Sequence, residues 1–359
     1  AVMISALGAA IIVEVFPSAE RGKALGVIGA VVSLGIALGP SIGGVIIGIA
    51  GWRSIFWVNL PIGILASLVV NKYVPHTVTS NQERRFDFWG SLAITIVLSC
   101  FFLGMTEGQR QGFTHSLPLG LLFAAVIGLV GFIVLESRVS QPMLDLSLFR
   151  SQIFSLSLLT GWLVFMALGG SSFLIPFFLQ LVLHYPIEHI GLLMAVTPVI
   201  GGLVSPLAGN LTDRFGTRSI MLIGLILMTV GCVAVSTLDA QMRDPDYLLR
   251  VIPLGLGWGM FQSPNNSAIL SAVPPERLGI ASGLLSLTRT LGQTTGLPLF
   301  AAIFAMSALT STKLKDVTLA PAGAIVNGFQ HTFQIAGLMT AIAAALTIVL
   351  WWLESNRDR

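Results

Sequence analysis

The sequence predicts an all-helical membrane protein, on three observations. Of 359 residues, 54% are hydrophobic and 10% charged, whereas a soluble domain carries roughly 25% charged residues; the mean hydropathy is +0.88. Apolar runs long enough to cross about 30 Å of hydrocarbon recur along the chain, and the longest polar connection runs only from about Val74 to Asp87. Basic residues favour alternate connections. If the connection after the first run is cytoplasmic, twelve of the 19 Lys and Arg residues fall on that side and six on the other, leaving Arg289 inside a run. That bias puts the C-terminus in the cytoplasm.

Eleven spans follow in order: 1–16, 22–50, 55–73, 89–106, 117–135, 153–183, 190–211, 220–238, 247–273, 278–308 and 326–353. The first is short and opens inside an apolar segment with no basic n-region, so it reads as a helix lacking its beginning and not as a signal peptide. The sixth is long, with expected breaks at Gly169, Gly170 and Pro176. The net charge of +3 sits in short loops, where membrane orientation accounts for it and nucleic acid does not. Cys100 and Cys232 lie within apolar runs, which indicates neither a disulfide framework nor a metal site. The five His residues are in or near loops, and neither an HExxH nor a GxxxxGK[ST] string occurs. A membrane-embedded enzyme and a nucleotide-driven pump are therefore unsupported, and no cofactor is expected.

In the second span, Gly35, Gly39 and Gly43 recur every fourth residue. On a helix they form a bare stripe drifting about 40° per step, along which another helix can approach backbone to backbone. Pro40 removes a ladder hydrogen bond beside it, and Gly44 extends the bare surface. The string Gly35-x-x-x-Gly39-Pro40-x-x-Gly43-Gly44 resembles the antiporter signature in the fifth helix of drug and proton antiporters of the major facilitator superfamily. The following 52–63, from Trp52 to Gly63, resembles the next loop and helix of the fourteen-span, EmrB/QacA-like branch.

Between the seventh and eighth spans, Gly209-Asn210-Leu211-Thr212-Asp213-Arg214-Phe215-Gly216-Thr217-Arg218 resembles the cytoplasmic loop motif of that superfamily in its second-half copy. Gly216 permits the tight reversal, Arg214 and Arg218 suit the headgroup layer, and Asp213 suits a helix N-terminus with unpaired amides. A latch between helices on the cytoplasmic side is the expectation.

An internal repeat links these strings. At an offset of 257 residues, Ala24, Gly26, Gly35 and Gly39 fall on Ala281, Gly283, Gly292 and Gly296, while Pro40 and Gly43 have no match. Two related halves suit a transporter. The resemblance implies a partial major facilitator fold of about eleven transmembrane helices. These are first-half helices four to six, two inserted helices and second-half helices seven to twelve, with the chain N-terminally truncated. The boundaries are 1–74 for the remainder of the N-terminal bundle, 75–145 for a cytoplasmic linker and the inserted pair, and 146–359 for the C-terminal six-helix bundle.

Polar residues inside spans are costly in lipid unless they face a partner or a watery cavity. Gln262, Asn265 and Asn266 cluster around Pro264, where unwound backbone could line such a cavity. Arg289 with Gln293 one turn on, and Gln180, complete the candidate set. Inter-helix hydrogen bonding is the alternative for the amides, and snorkelling to the cytoplasmic face for Arg289. The resemblance implies an efflux transporter working by alternating access, with lipophilic drugs or similar small molecules as substrates and protons as the coupling ion. Its setting would be the inner or plasma membrane, as a monomer. Export of one metabolite, such as a siderophore or amino acid, uses the same scaffold, and a non-functional truncated product is the remaining reading. No Asp or Glu sits near mid-membrane in these spans, and the branch carries its switching acid in a first helix that this sequence does not contain.

Overall fold

The computed structural model describes residues 51–73, 87–139, 142–274, 277–309 and 320–357, with scattered positions before residue 51. Among the described residues there are nine α-helices and no strand: α1 (Ser54–Tyr73), α2 (Phe88–Gln111), α3 (Ser116–Glu136), α4 (Gln152–Leu181), α5 (Ile187–Phe215), α6 (Thr217–Val235), α7 (Asp244–Ser271), α8 (Leu278–Leu309) and α9 (Ala322–Arg357), with a 3₁₀ turn at Leu146–Arg150. These match nine of the eleven predicted spans. The first two predicted spans are described only at scattered positions, and Pro40, Gly43 and Gly44 lie outside the described residues.

Eight of the nine helices are long and apolar enough to cross a bilayer. The exception, α7, carries Gln262, Asn265 and Asn266 on a face that the bundle buries. Because neighbouring helices shield it from lipid, its polar side chains cost less than they would in hydrocarbon. Helix α1 lies at the opposite extreme, with none of its span buried within the protein.

Helices α2 and α3 form a hairpin whose first member leans on α8. Asp87 caps α2 by accepting a hydrogen bond from the Gly90 backbone at 2.8 Å. The remaining six helices form a bundle in which α6 with α7, and α4 with α8, are the most closely packed pairs. Bare backbone makes both approaches possible. A Cβ on Gly257 would stand 2.5 Å from the Gly224 carbonyl oxygen of α6, and a Cβ on Gly296 would stand 2.0 Å from the Met166 carbonyl oxygen of α4. In lipid, where no hydrophobic force draws helices together, such contacts carry the packing. The core fills in three layers. Phe178, Phe300, Phe329 and Phe333 occupy one end, Phe165, Leu225 and Phe261 the middle, and Phe154, Ile269 and Leu285 the other end.

Two expected irregularities are absent. Helix α4 runs unbroken through Gly169, Gly170 and Pro176, because the two glycines are packing points: a Cβ on Gly169 would meet the Gln293 backbone at 2.8 Å, and one on Gly170 would strike the Phe300 ring. Helix α7 likewise continues through Pro253 and Pro264, so no unwound backbone surrounds Gln262 to Asn266.

Candidate functional site

The predicted polar residues divide between two places. On the inward face of α7, Gln262 and Asn266 are each 5% exposed and Asn265 1%. Arg289, on α8, donates from Nη2 to Asn266 Oδ1 at 2.8 Å and lies over the Phe165 ring, 5.5 Å from its centroid. Both amide atoms of Asn265, Oε1 of Gln262 and Nε of Arg289 are buried without a hydrogen-bond partner in the protein. The structure thus pairs Arg289 with Asn266 and buries Gln262 and Asn265 on the same helix beside it, leaving a half-satisfied polar cluster. Gln293 is one turn further along α8 and faces a different space. Gln180 is exposed near the end of α4 and belongs to neither place, which corrects the expectation that it lines a cavity.

That second space is a cavity of about 310 Å³ between α4, α5, α6, α7 and α8. Its walls include Met194, Met228, Tyr247, Trp258, Ser171 and Gln293. The volume is at the lower end of small-molecule sites, and a mostly apolar wall with a few polar groups is their usual make-up. Tyr247 is 1% exposed and its hydroxyl has no partner within the protein. Trp258 forms part of the wall, edge-on to Phe165 with ring centroids 5.3 Å apart. Phe165 thus touches both the cavity wall and the Arg289 guanidinium. Of the cavity's residues, the sequence singled out only Gln293, because a Met, Ala or Leu in an apolar run does not mark which face of its helix it lines.

The loop string also resolves into parts. Asp213, exposed at the end of α5, accepts a hydrogen bond at Oδ2 from the backbone N–H of Lys23, 190 positions earlier in the sequence, at 3.1 Å. Gly216 has φ of +86° and serves as C-cap of α5 and N-cap of α6, a conformation for which glycine alone carries no Cβ penalty. Gly209 is buried within α5, and Arg214 is exposed with its guanidinium 5.4 Å from the Phe215 ring centroid. Arg218 departs from the expected headgroup position. It is 8% exposed and forms a two-pronged pair with Glu354 of α9, Nε to Oε2 at 2.9 Å and Nη2 to Oε1 at 2.7 Å. The predicted stripe also departs from expectation. Gly35 and Gly39 are exposed, with open space where a Cβ would stand, so the packing role proposed for them has no partner among the described residues.

A multi-pass helical bundle enclosing a ligand-sized cavity, with buried polar groups beneath it, defines a protein that handles small molecules within the membrane. The family model described as Major Facilitator Superfamily matches residues 1–297, and the chain belongs to that superfamily. Among its relatives, the riboflavin transporter RibZ of Clostridioides difficile is 34% identical over 351 residues, which cover 96% of this chain and 74% of RibZ. The multidrug resistance protein Stp of Mycobacterium tuberculosis is 34% identical over 307 residues, 85% of this chain and 57% of Stp. This chain thus spans just over half the length of Stp. In fold it is similar to the human organic anion transporter MFSD10, with a TM-score of 0.62 at 16% identity, covering 96% of this chain and 67% of that one.

Proposed function

We propose that this chain is the larger part of an efflux transporter of the fourteen-span drug and proton antiporter branch. It would move lipophilic small molecules by alternating access across a cell membrane, with its C-terminus in the cytoplasm. The observation that carries this reading is the hydrogen bond from the Lys23 amide to Asp213. It joins the first-half region to the second-half bundle at the end of α5, and a two-state transporter must make and break contacts there as its halves rock. The expected division into 1–74, 75–145 and 146–359 places Lys23 and Asp213 on opposite sides of that movement. It assigns α2 and α3 to the inserted pair.

The repeat supplies a partner for the exposed glycines. Gly292 and Gly296 of α8 are the second-half counterparts of Gly35 and Gly39, and both press on α4. The first-half counterpart of α4 is therefore the helix expected to seat on Gly35 and Gly39, with Pro40, Gly43 and Gly44 continuing that surface. Proton coupling is proposed on the branch resemblance alone. Transport of a single metabolite is the second reading, favoured by the 34% identity to a riboflavin transporter over 74% of its length.

The test is efflux from cells or vesicles of a panel of lipophilic compounds and flavins, with the proton gradient intact and collapsed, for wild type and Asp213→Asn. Gradient-dependent export by wild type is expected, with the variant slowed about tenfold or more and shifted toward the inward-open state in accessibility labelling. Absence of transport across the panel would overturn the exporter reading. Unchanged transport and labelling in Asp213→Asn would dismiss the latch.

A further inference from the structure

The half-satisfied cluster beneath the cavity is a chemical specification. It presents one guanidinium with a free Nε–H, held by the Asn266 carbonyl oxygen at 2.8 Å. Beside it, the Asn265 amide, 1% exposed, has neither its donor nor its acceptor paired in the protein. A cation about eleven residues into a span is costly in lipid, and it is usually offset by a carboxylate or a water-filled space. Among the described residues Arg289 has the Asn266 amide and the Phe165 ring as its neighbours, and no Asp or Glu lines the cavity above. The local field is positive. The cavity itself offers a Trp, two Met thioethers and the Tyr247 hydroxyl, which suit a flat, polarisable ring with a hydrogen-bonding substituent.

We infer that Arg289, with Asn265 and Asn266, is a subsite for an anionic group, a carboxylate or phosphate. The group belongs to a substrate whose planar aromatic body occupies the cavity lined by Trp258 and Tyr247. This inference rests on the transporter reading and names the substrate class for the same site. Aromatic anions are favoured and lipophilic cations are not, because a guanidinium matches a carboxylate or phosphate in a forked pair and repels a cation in the same space. Phe165, in contact with both the Arg289 guanidinium and the Trp258 ring, joins this subsite to the cavity. Gln262, one turn before Asn266 on the same helix and with an orphan oxygen, adds an acceptor for a donor on the ligand.

The experiment measures equilibrium binding to the purified, detergent-solubilised protein of three xanthene dyes with the same ring system: a carboxylate, its neutral methyl ester and a cationic amine analogue. Wild type, Arg289→Gln, Arg289→Lys and Asn265→Ala are compared, with melting temperature confirming that each folds. Wild type is expected to bind the carboxylate at least tenfold more tightly than the cation. Arg289→Gln should lose about ten- to a hundredfold for the carboxylate alone, as expected for one charge-assisted pair. Arg289→Lys should retain part of the preference, and Asn265→Ala should weaken carboxylate binding about threefold or more without favouring the cation. Equal binding of all three dyes, failure of all three to bind wild type, or a preference unchanged in Arg289→Gln would overturn the inference. If Arg289→Gln does not fold, a preference equally strong in Asn265→Ala and Arg289→Lys overturns it too. Charge-selective binding without gradient-driven movement in vesicles would leave the subsite standing and remove the transporter reading instead.

Discussion

Arg218 and Glu354 are 136 positions apart in sequence, and their forked pair closes the α6 end of the bundle onto the last turns of α9. The Arg218 side chain is 9% exposed and that of Glu354 30%, so the pair is only partly shielded from solvent. Removing one partner leaves the other charge without its match, and hydrogen bonds to charged groups contribute roughly 1.5–3 kcal/mol. Glu354→Gln should therefore lower stability by about 2 kcal/mol, read as a fall in melting temperature in detergent. Asp145, in the connection ahead of α4, behaves differently because it titrates. The hydroxyl and backbone N–H of Ser147, and then the Arg277 guanidinium at 2.7 Å, hold its carboxyl below the ordinary value of 3.8. A depressed carboxyl stabilises the fold above its unfolded value and loses that contribution as pH falls through the lower, folded one. At pH 7, Asp145→Asn should thus melt below wild type, and the difference should close as pH is lowered from about 5 towards 3. A difference constant across that range would show that the ion pair is not its source.

At the scale of helices, the glycines sort into those that touch and those that do not. Gly296 lies against the α4 backbone, whereas Gly283, earlier on the same helix, has open space around its would-be Cβ. Gly296→Ala must push α8 from α4, and overpacking of this kind costs about 1–3 kcal/mol. Gly283→Ala meets nothing and should match or slightly exceed wild type, since alanine is the better helix former. Paired melting curves of the two variants check this, and equal effects would contradict the packing. The spans themselves were readable from hydropathy because lipid demands one apolar run per crossing, and nine helices match the predicted set. The contact made by Gly257 on Gly224 was not readable, because a bare backbone announces no partner. The expected breaks at Gly169 and Pro264 failed for a related reason: packing on neighbours keeps these helices continuous despite their composition. Of the candidate site, Gln262, Asn265, Asn266 and Arg289 stood out as polar residues in apolar runs. Of the cavity walls only Gln293 did, and the orphan hydroxyl of Tyr247, one of many residues at a span end, did not.

Across the whole molecule, the two copies of the glycine stripe are in opposite circumstances, and that contrast is informative. Gly292 and Gly296 are covered by α4, while Gly35 and Gly39 are uncovered and α1 buries none of its span. If the halves descend from one ancestral bundle, the same surface must be satisfied by the same kind of neighbour in both. The cover for Gly39 is then a helix standing to it as α4 stands to Gly296. This gives opposite expectations for one substitution in two settings. In the 359-residue chain, Gly39→Leu adds a side chain to a face with open space around it and should leave the melting temperature within about 1 °C of wild type. In a longer protein whose added helices seat on this stripe, the same change would drive a side chain into a backbone contact, at a cost of about 1–3 kcal/mol, and slow the proposed transport. The measurement is melting and transport for Gly39→Leu in both settings, with Gly296→Leu as the internal control that should fail in each. Tolerance of Gly39→Leu in the longer protein would mean that the stripe faces lipid throughout, and the correspondence between the halves would not extend to their packing.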